Sequence, residues 1–342
     1  MAAVGALIVG VIVLAVLLRE GPDAKPLPGT PLQQLAKKRG IEVGTAVRSQ
    51  KTKGNRAYRQ LIAEQFSSVT PENEMKWDQI EPKRGVFAFD AADGIVANAR
   101  EAGQKVRGHT LVWHFQLPAW VKELEPAQLR QATREHIRRV IGRYEKDVGV
   151  WDVVNEPISD EGGLRQSVFL RRLGPGYIED AFRTARVADP DAKLYLNEIG
   201  AESIGPKSNR LYEIVKGLKA SGVPIDGVGF QVHSNLNGLP DGFVSNMQRF
   251  KALNLDIAIT EADVGLKMAP SAADLKAQSS VFRSIVRSCL AAGCRSLTFW
   301  GFTDGRSWIS ETQPGMGAAT LLDAALAPKP AFRAVQRALA GP

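Results

Sequence analysis

WDVVNEP, at Trp151–Pro157, reads as a buried strand that ends in an amide and a carboxylate. Trp151, Val153 and Val154 are aromatic or β-branched, the side chains that fill a sheet covered on both faces. Pro157 has no N–H to give to a ladder, so the strand stops there. Asn155 and Glu156 are left at its C-terminal end. DIAITEAD, at Asp256–Asp263, repeats the arrangement, with the apolar run Ile257–Ile259 leading to Glu261.

Outward from these two stretches, apolar runs alternate with helical periodicity along the chain. Strands are expected at Ile41–Val47, Ser67–Thr70, Lys105–Trp113, Trp151–Pro157, Lys193–Asn197, Gly227–His233, Asp256–Asp263 and Ser296–Thr303. Between and after them, Arg56–Glu64, Ala91–Ala102, Gln128–Tyr144, Gly176–Ala188, Ser208–Ser221, Gly242–Leu253, Ala272–Ala292 and Pro330–Leu339 place apolar residues at helical spacing. Strands and helices in this alternation predict an α/β fold, the (β/α)8 TIM barrel, whose active sites lie on the rim at the C-terminal ends of the strands. The chain has 342 residues, 44% of them hydrophobic. That suffices for one barrel, expected over residues 32–342, without a second domain or an internal repeat.

The net charge of +8 comes from scattered lysines and arginines with short clusters such as Arg48–Lys53. A solvated surface explains them, and nothing in the pattern points to nucleic acid. Residues 2–18 are apolar throughout and precede Arg19, Glu20 and the Pro/Gly-rich piece Gly21–Pro31. Residues 1–20 therefore read as a signal peptide or an uncleaved membrane anchor, and 21–31 as a linker. The absence of a basic leading region and of a small-residue cleavage site favours the anchor. Either reading puts the remaining chain outside the cytoplasm, periplasmic or secreted, with 2–18 as a candidate tether. Cys289 and Cys294 flank a predicted turn, and an oxidising compartment would allow a disulfide between them. The alternative is a pair of buried free thiols.

The predicted strand ends collect polar and aromatic side chains. They carry Glu72, Asn73 and Lys76 after the second strand, and His109, Trp113, His114 and Gln116 along and after the third. Asn155 and Glu156 follow on the fourth, Gln231 and His233 on the sixth, Glu261 and Asp263 on the seventh, and Trp300 with Trp308 on and after the eighth. Taken singly, each is a salt-bridged carboxylate, a core histidine or a packed indole. Gathered on one rim they suit a sugar, whose hydroxyls need amides, carboxylates and an ammonium and whose pyranose faces pack on indole rings. Two facing carboxyls can hydrolyse a glycosidic bond, one protonating the leaving oxygen while the other attacks or activates water.

The sequence resembles glycoside hydrolase family 10, the endo-β-1,4-xylanases. The matching runs are TPENEMKWDQIEP from Thr70, RGHTLVWH from Arg107, WDVVNEP, YIEDAFRTARVADPDAKLYLNE from Tyr177, GVGFQVH from Gly227, ITEAD from Ile259, LTFWGFTDGRSWI from Leu297 and PKPAF from Pro328. The resemblance implies a retaining double displacement on xylan or xylo-oligosaccharides, with Glu156 as general acid/base and Glu261 as nucleophile. A retaining pair stands about 5–5.5 Å apart. It further implies that His233 hydrogen-bonds the nucleophile and that Asn155 binds the 2-hydroxyl of the sugar being cleaved. Lys76, His109, Gln231, Trp300 and Trp308 would line that sugar's site, while Glu72, Asn73, Trp113 and Gln116 would extend to the next glycone sugar. No metal or organic cofactor is implied, and the catalytic domain is expected to be monomeric.

Three positions depart from the family pattern. NEIG at Asn197–Gly200 replaces the common Asn-Asp-Tyr-Asn and lacks an aromatic surface for the leaving-side sugar. Ala262 stands for a usual leucine and Pro157 for a common alanine. Two other readings remain at this stage: a retaining barrel glycosidase for short xylo-oligosaccharides or β-1,4-glucan, and a tethered polysaccharide-binding protein without catalysis.

Overall fold

The computed structural model describes residues 22–52 and 54–341. The apolar run at 2–18 lies outside the described residues, among which no helix is long and apolar enough to cross a membrane. Parallel strands form a closed barrel: β1 (Glu42–Val47), β2 (Ser68–Pro71), β3 (Lys105–Trp113), β4 (Val148–Asn155), β5 (Lys193–Glu198), β6 (Gly227–Phe230), β7 (Asp256–Val264) and β8 (Ser296–Phe299). Each pairs with its sequence neighbours, and β8 closes on β1 with Ser296 opposite Glu42. Helices cover the outside, so the strands are buried on both faces and read as nearly continuous apolar runs.

Helix ends follow local chemistry. Ala272–Ala292 starts at Ser271, whose hydroxyl accepts from the Asp274 N–H while Asp274 returns the bond, and it stops at Gly293 in the left-handed region. Its face Val281, Phe282, Ile285, Val286 and Cys289 is buried. Inside the barrel, large side chains of one strand lie over glycines of the next. A β-carbon on Gly108 would come within 2.1 Å of the Trp151 indole, and one on Gly229 within 2.3 Å of Asn197 Oδ1. Gly229 therefore gives Asn197 the room to lie across the barrel toward the rim.

The strand ends differ from the sequence reading at several points. The fourth strand ends at Asn155, because Glu156 adopts φ 53° and leaves the extended region. The expected Gly227–His233 strand breaks after Phe230, where Val232 turns to φ 62° and its N–H bonds Glu202 at 2.9 Å; pairing resumes at His233–Ser234 against Asp263 and Val264. The eighth strand stops at Phe299, before Gly301 at φ 87°. The stretch read as a linker is docked from Asp23 onward. Leu27 is buried, Ala24 N–H bonds Gln60, and Gln336 bonds the Pro28 and Thr30 carbonyls. The disulfide that the spacing allows is absent, and Cys289 and Cys294 are buried free thiols, as in the alternative reading. Cys289 Sγ points to the Ser296 carbonyl at 3.7 Å, while Cys294 Sγ lies 4.0 Å from Met247 Sδ. Burial raises the Cys289 thiol well above its ordinary pKa.

Candidate active site

Glu261 sits at the rim end of β7 and is almost wholly buried. Asn197 Nδ2 donates to its Oε1 at 2.7 Å, and His233 Nε2 lies 3.2 Å from its Oε2. The other imidazole nitrogen of His233 is 2.9 Å from Asp263 Oδ2, which also accepts from Trp308 Nε1 at 2.8 Å. Burial alone would discharge the imidazole, but Asp263 and Glu261 on either side raise its pKa well above the ordinary value. Both ring nitrogens then donate. Burial likewise works against a charged Glu261, yet the His233 hydrogen bond and the charges of His109 and His233 hold its pKa below the usual carboxylate range. This carboxylate is kept ionised and its two oxygens are fixed in direction.

Glu156, at the neighbouring end of β4, is half-buried. Its left-handed backbone costs on the order of 1–3 kcal/mol for a non-glycine residue. The surroundings hold it there, with the Glu156 N–H bonding the Asn197 carbonyl at 2.9 Å and Arg165 Nε bonding the Glu156 carbonyl at 3.1 Å. One carboxyl oxygen, Oε1, accepts from Gln231 Nε2 at 3.0 Å and from Asn155 Nδ2 at 3.3 Å. The two carboxyls are joined through amides: Asn197 Nδ2 bonds both Glu261 and Asn155 Oδ1, the latter at 2.9 Å. Thr260 Oγ1 bonds Asn197 Oδ1 at 2.7 Å and so sets which way that amide faces.

The floor of the cleft is charged and buried. His109 Nδ1 is 3.0 Å from Asp152 Oδ2, and Asp152 also pairs with Arg107. Burial opposes the Asp152 charge, but Arg107 and His109 outweigh it and lower its pKa. Lys76 Nζ donates to Gln116 Oε1 at 2.8 Å and Asn73 Oδ1 at 3.2 Å, and lies 4.6 Å above the Trp113 ring. Burial lowers the Lys76 pKa against the opposing pull of Glu261, Glu72 and Glu156. Trp300 meets His109 edge-on at 5.2 Å, and Trp308 lies 4.9 Å from the His233 ring.

Every residue to which the resemblance gave a role lines one cleft, from Glu72, Asn73 and Lys76 through the two carboxyls to Trp300 and Trp308, whereas the strand-end residues His114 and Asp263 do not line it. The cleft also contains residues which that reading missed: Arg48, Phe115, Ile199, Glu311 and Thr312. Asn197 and Asp263 were recognised as strand-end residues without roles, and the structure makes them the direct supports of Glu261 and His233. Their signal is the one that marks Glu261: Asp263 lies two residues on, on the same face of the strand, and Asn197 occupies the end of β5. Ile199 takes the cleft position that the departure at NEIG denied to an aromatic ring. Beneath it Glu198 is fully buried, accepting from the Ile158 and Ile199 N–H groups at 3.1 Å each, with Lys207 Nζ at 3.4 Å. Burial pushes the Glu198 carboxyl up to about 8 against the pull of Lys207.

A (β/α)8 barrel with an enclosed anionic carboxylate and an open, amide-held carboxyl on one rim is a barrel of the retaining O-glycosidase class. The chain belongs to glycosyl hydrolase family 10, whose profile matches residues 31–338. It is 40% identical to endo-1,4-beta-xylanase B of Thermotoga neapolitana over 313 residues, which is 90% of each chain. Among solved structures, native xylanase 10B of Thermotoga maritima superposes with a TM-score of 0.88 at 41% identity, covering 91% of this chain and 98% of that one. Xylanase 10B of Thermotoga petrophila RKU-1, solved in complex with xylobiose, superposes with a TM-score of 0.88 at 40% identity, covering 92% and 98%.

Proposed function

We propose that this protein is an endo-β-1,4-xylanase acting by double displacement with retention. The observation that carries the reading is the linked carboxyl pair: Glu261 enclosed between Asn197 and the His233–Asp263 pair, with Glu156 joined to it through Asn155 and Asn197. Glu261 attacks the anomeric carbon while Glu156 gives its proton to the leaving oxygen, and a glycosyl ester forms. Glu156, now ionised, takes a proton from water as that water attacks the ester and frees Glu261. Glu261 loses its charge in the ester and regains it on release, so the His233 hydrogen bond favours the release step.

Asn155 Nδ2 is available to the sugar 2-hydroxyl, a contact that strengthens as the ring approaches an oxocarbenium ion. Lys76, His109, Gln231, Trp300 and Trp308 hold the sugar being cleaved, and Glu72, Asn73, Trp113 and Gln116 hold the next. Trp308 walls off the position where glucose carries its hydroxymethyl arm, a discrimination worth about 1–3 kcal/mol. The names of the relatives support xylan as substrate. A preference for short xylo-oligosaccharides is favoured by one feature, Ile199 in place of a stacking ring on the leaving side. The apolar run at 2–18 supports action outside the cytoplasm, checked by the N-terminal sequence of the protein in membrane and soluble fractions.

Reducing-sugar release from xylan by the full chain, beside Glu156→Ala and Glu261→Ala, tests the reading. Release by the wild type alone supports it. Cleavage of aryl xylosides without release from xylan moves the substrate to short oligosaccharides. Xylan binding with no cleavage of either substrate would leave a binding protein.

A further inference from the structure

Arg48 leaves the rim end of β1 and serves two carboxylates. Its Nη1 bonds both oxygens of Glu311 at 2.7 Å, and its Nη2 pairs with Glu72. The Arg48 side chain is 15% exposed and that of Glu72 is 7% exposed, whereas Glu311 is 52% exposed. A guanidinium shared between two carboxylates is fixed in plane and in position. Glu311 belongs to the short helix Trp308–Thr312, whose first residue is tied to Asp263 behind the nucleophile. That helix is thus fastened at both ends, to β7 through Trp308 and to β1 through Glu311.

The placement of this pair is specific. Arg48, Glu72 and Glu311 line the same cleft as the carboxyl pair. Glu72 stands at the second glycone sugar in the reading above, and Arg48 is in direct contact with it. Along this wall contact passes from the buried Glu72 to Arg48 and then to the half-exposed Glu311, joining the end of β2 to the loop after β8. We propose that the Arg48–Glu311 pair is a latch that closes the glycone end of the cleft behind the second sugar, so that two xylosyl units are held there and a third is not bound in line. The inference rests on the xylanase reading and adds a specificity determinant to it. The half-exposed Glu311 makes the latch sensitive to salt, because exposed ion pairs are screened and individually weak. Arg48 remains paired with Glu72 when Glu311 is removed, so the subsite for the second sugar stays formed.

The test compares kcat/KM on aryl β-xylobioside and aryl β-xylotrioside with one leaving group, for the full-length wild type and for Glu311→Ala. The wild type is expected to use the two equally. Glu311→Ala is expected to prefer the trioside by about fivefold, through a lower KM, the worth of about one added hydrogen-bonded contact. At 0.5 M salt the wild-type ratio should rise toward that of the variant, and the variant's ratio should not move. A ratio unchanged by Glu311→Ala, or a wild type already favouring the trioside fivefold, overturns the latch while leaving the xylanase reading intact. An equal loss on both substrates in Glu311→Ala also overturns it, since the helix would then only support Trp308. A wild type inactive on both substrates overturns the xylanase reading and the latch with it.

Discussion

Glu261 and Glu156 lie on one rim and belong to one hydrogen-bonded network, yet their surroundings are opposites. Glu261 has a donor on each oxygen, a charged imidazole among them, and almost no exposure. Glu156 is half-buried, with both of its amide donors on one oxygen and its backbone in the left-handed region. An enclosed, charge-stabilised carboxylate suits a group that must be anionic and correctly aimed at one carbon. An open carboxyl with a free oxygen suits a group that must hand a proton to a leaving sugar and take one back from water. The proposed division of roles rests on this contrast.

The largest expected effect removes the enclosed partner. Glu261→Ala should lower kcat/KM on aryl xylobioside by about 10⁴-fold or more, since no other group can form the ester. Glu156→Ala should cost less and unevenly: about 10²–10⁴-fold on xylan, whose leaving sugar needs a proton, and much less in the burst phase of a dinitrophenyl xylobioside, whose leaving group does not. Equal losses on the two substrates would erase the distinction between the carboxyls.

Next comes the support behind Glu261. Asp263→Asn removes the charge that does most to raise the His233 pKa against burial, so that pKa should fall. The imidazolium is then lost at a lower pH, and the alkaline limb of the kcat/KM profile should move toward neutrality, with a loss of about 10–100-fold at the optimum. A profile that keeps its alkaline limb would show that Asp263 only fastens Trp308.

The smallest effect is on stability, on the Glu156 side. Glu198 has its pKa raised to about 8, so between the ordinary carboxyl value and 8 the folded state holds a proton that the unfolded state has lost. Stability from this group is full at low pH and falls as pH rises through that window. In Glu198→Gln the decline in Tm from pH 5 to pH 8 should be shallower than in the wild type by a few degrees. Parallel curves would contradict the protonated, buried carboxyl.

What could be read from the sequence follows the same division. β4 and β7 announce themselves, because apolar β-branched runs ending in Asn155–Glu156 and in Glu261 put carboxyls where a barrel places its chemistry. His136 shows why a histidine alone would not have done so. It is buried in the helical layer, stacked 4.1 Å from Trp77, and burial brings its pKa down to about 3. His233 is half-buried but carries charge, and its two carboxylate neighbours make the difference. GVGFQVH looks like an unbroken strand because Val232 favours one. The bond from its N–H to the Glu202 carboxylate overrides that preference. The cysteine spacing permitted a disulfide, but the helix directs Cys289 into the core. The Arg48–Glu311 pair spans 263 residues and exists only because β8 closes on β1, so no local pattern announces it.

The most direct measurement of the division between the carboxyls is to trap the ester. A 2-deoxy-2-fluoro xylobioside with a good leaving group slows both steps by destabilising the oxocarbenium-like transition state, while its leaving group still lets the first step proceed. Intact-mass analysis should show one fluoroxylobiosyl unit added to the protein, and peptide mapping should place it on Glu261. A label on Glu156, or none under conditions where the unsubstituted aryl xylobioside is cleaved, would contradict the assignment.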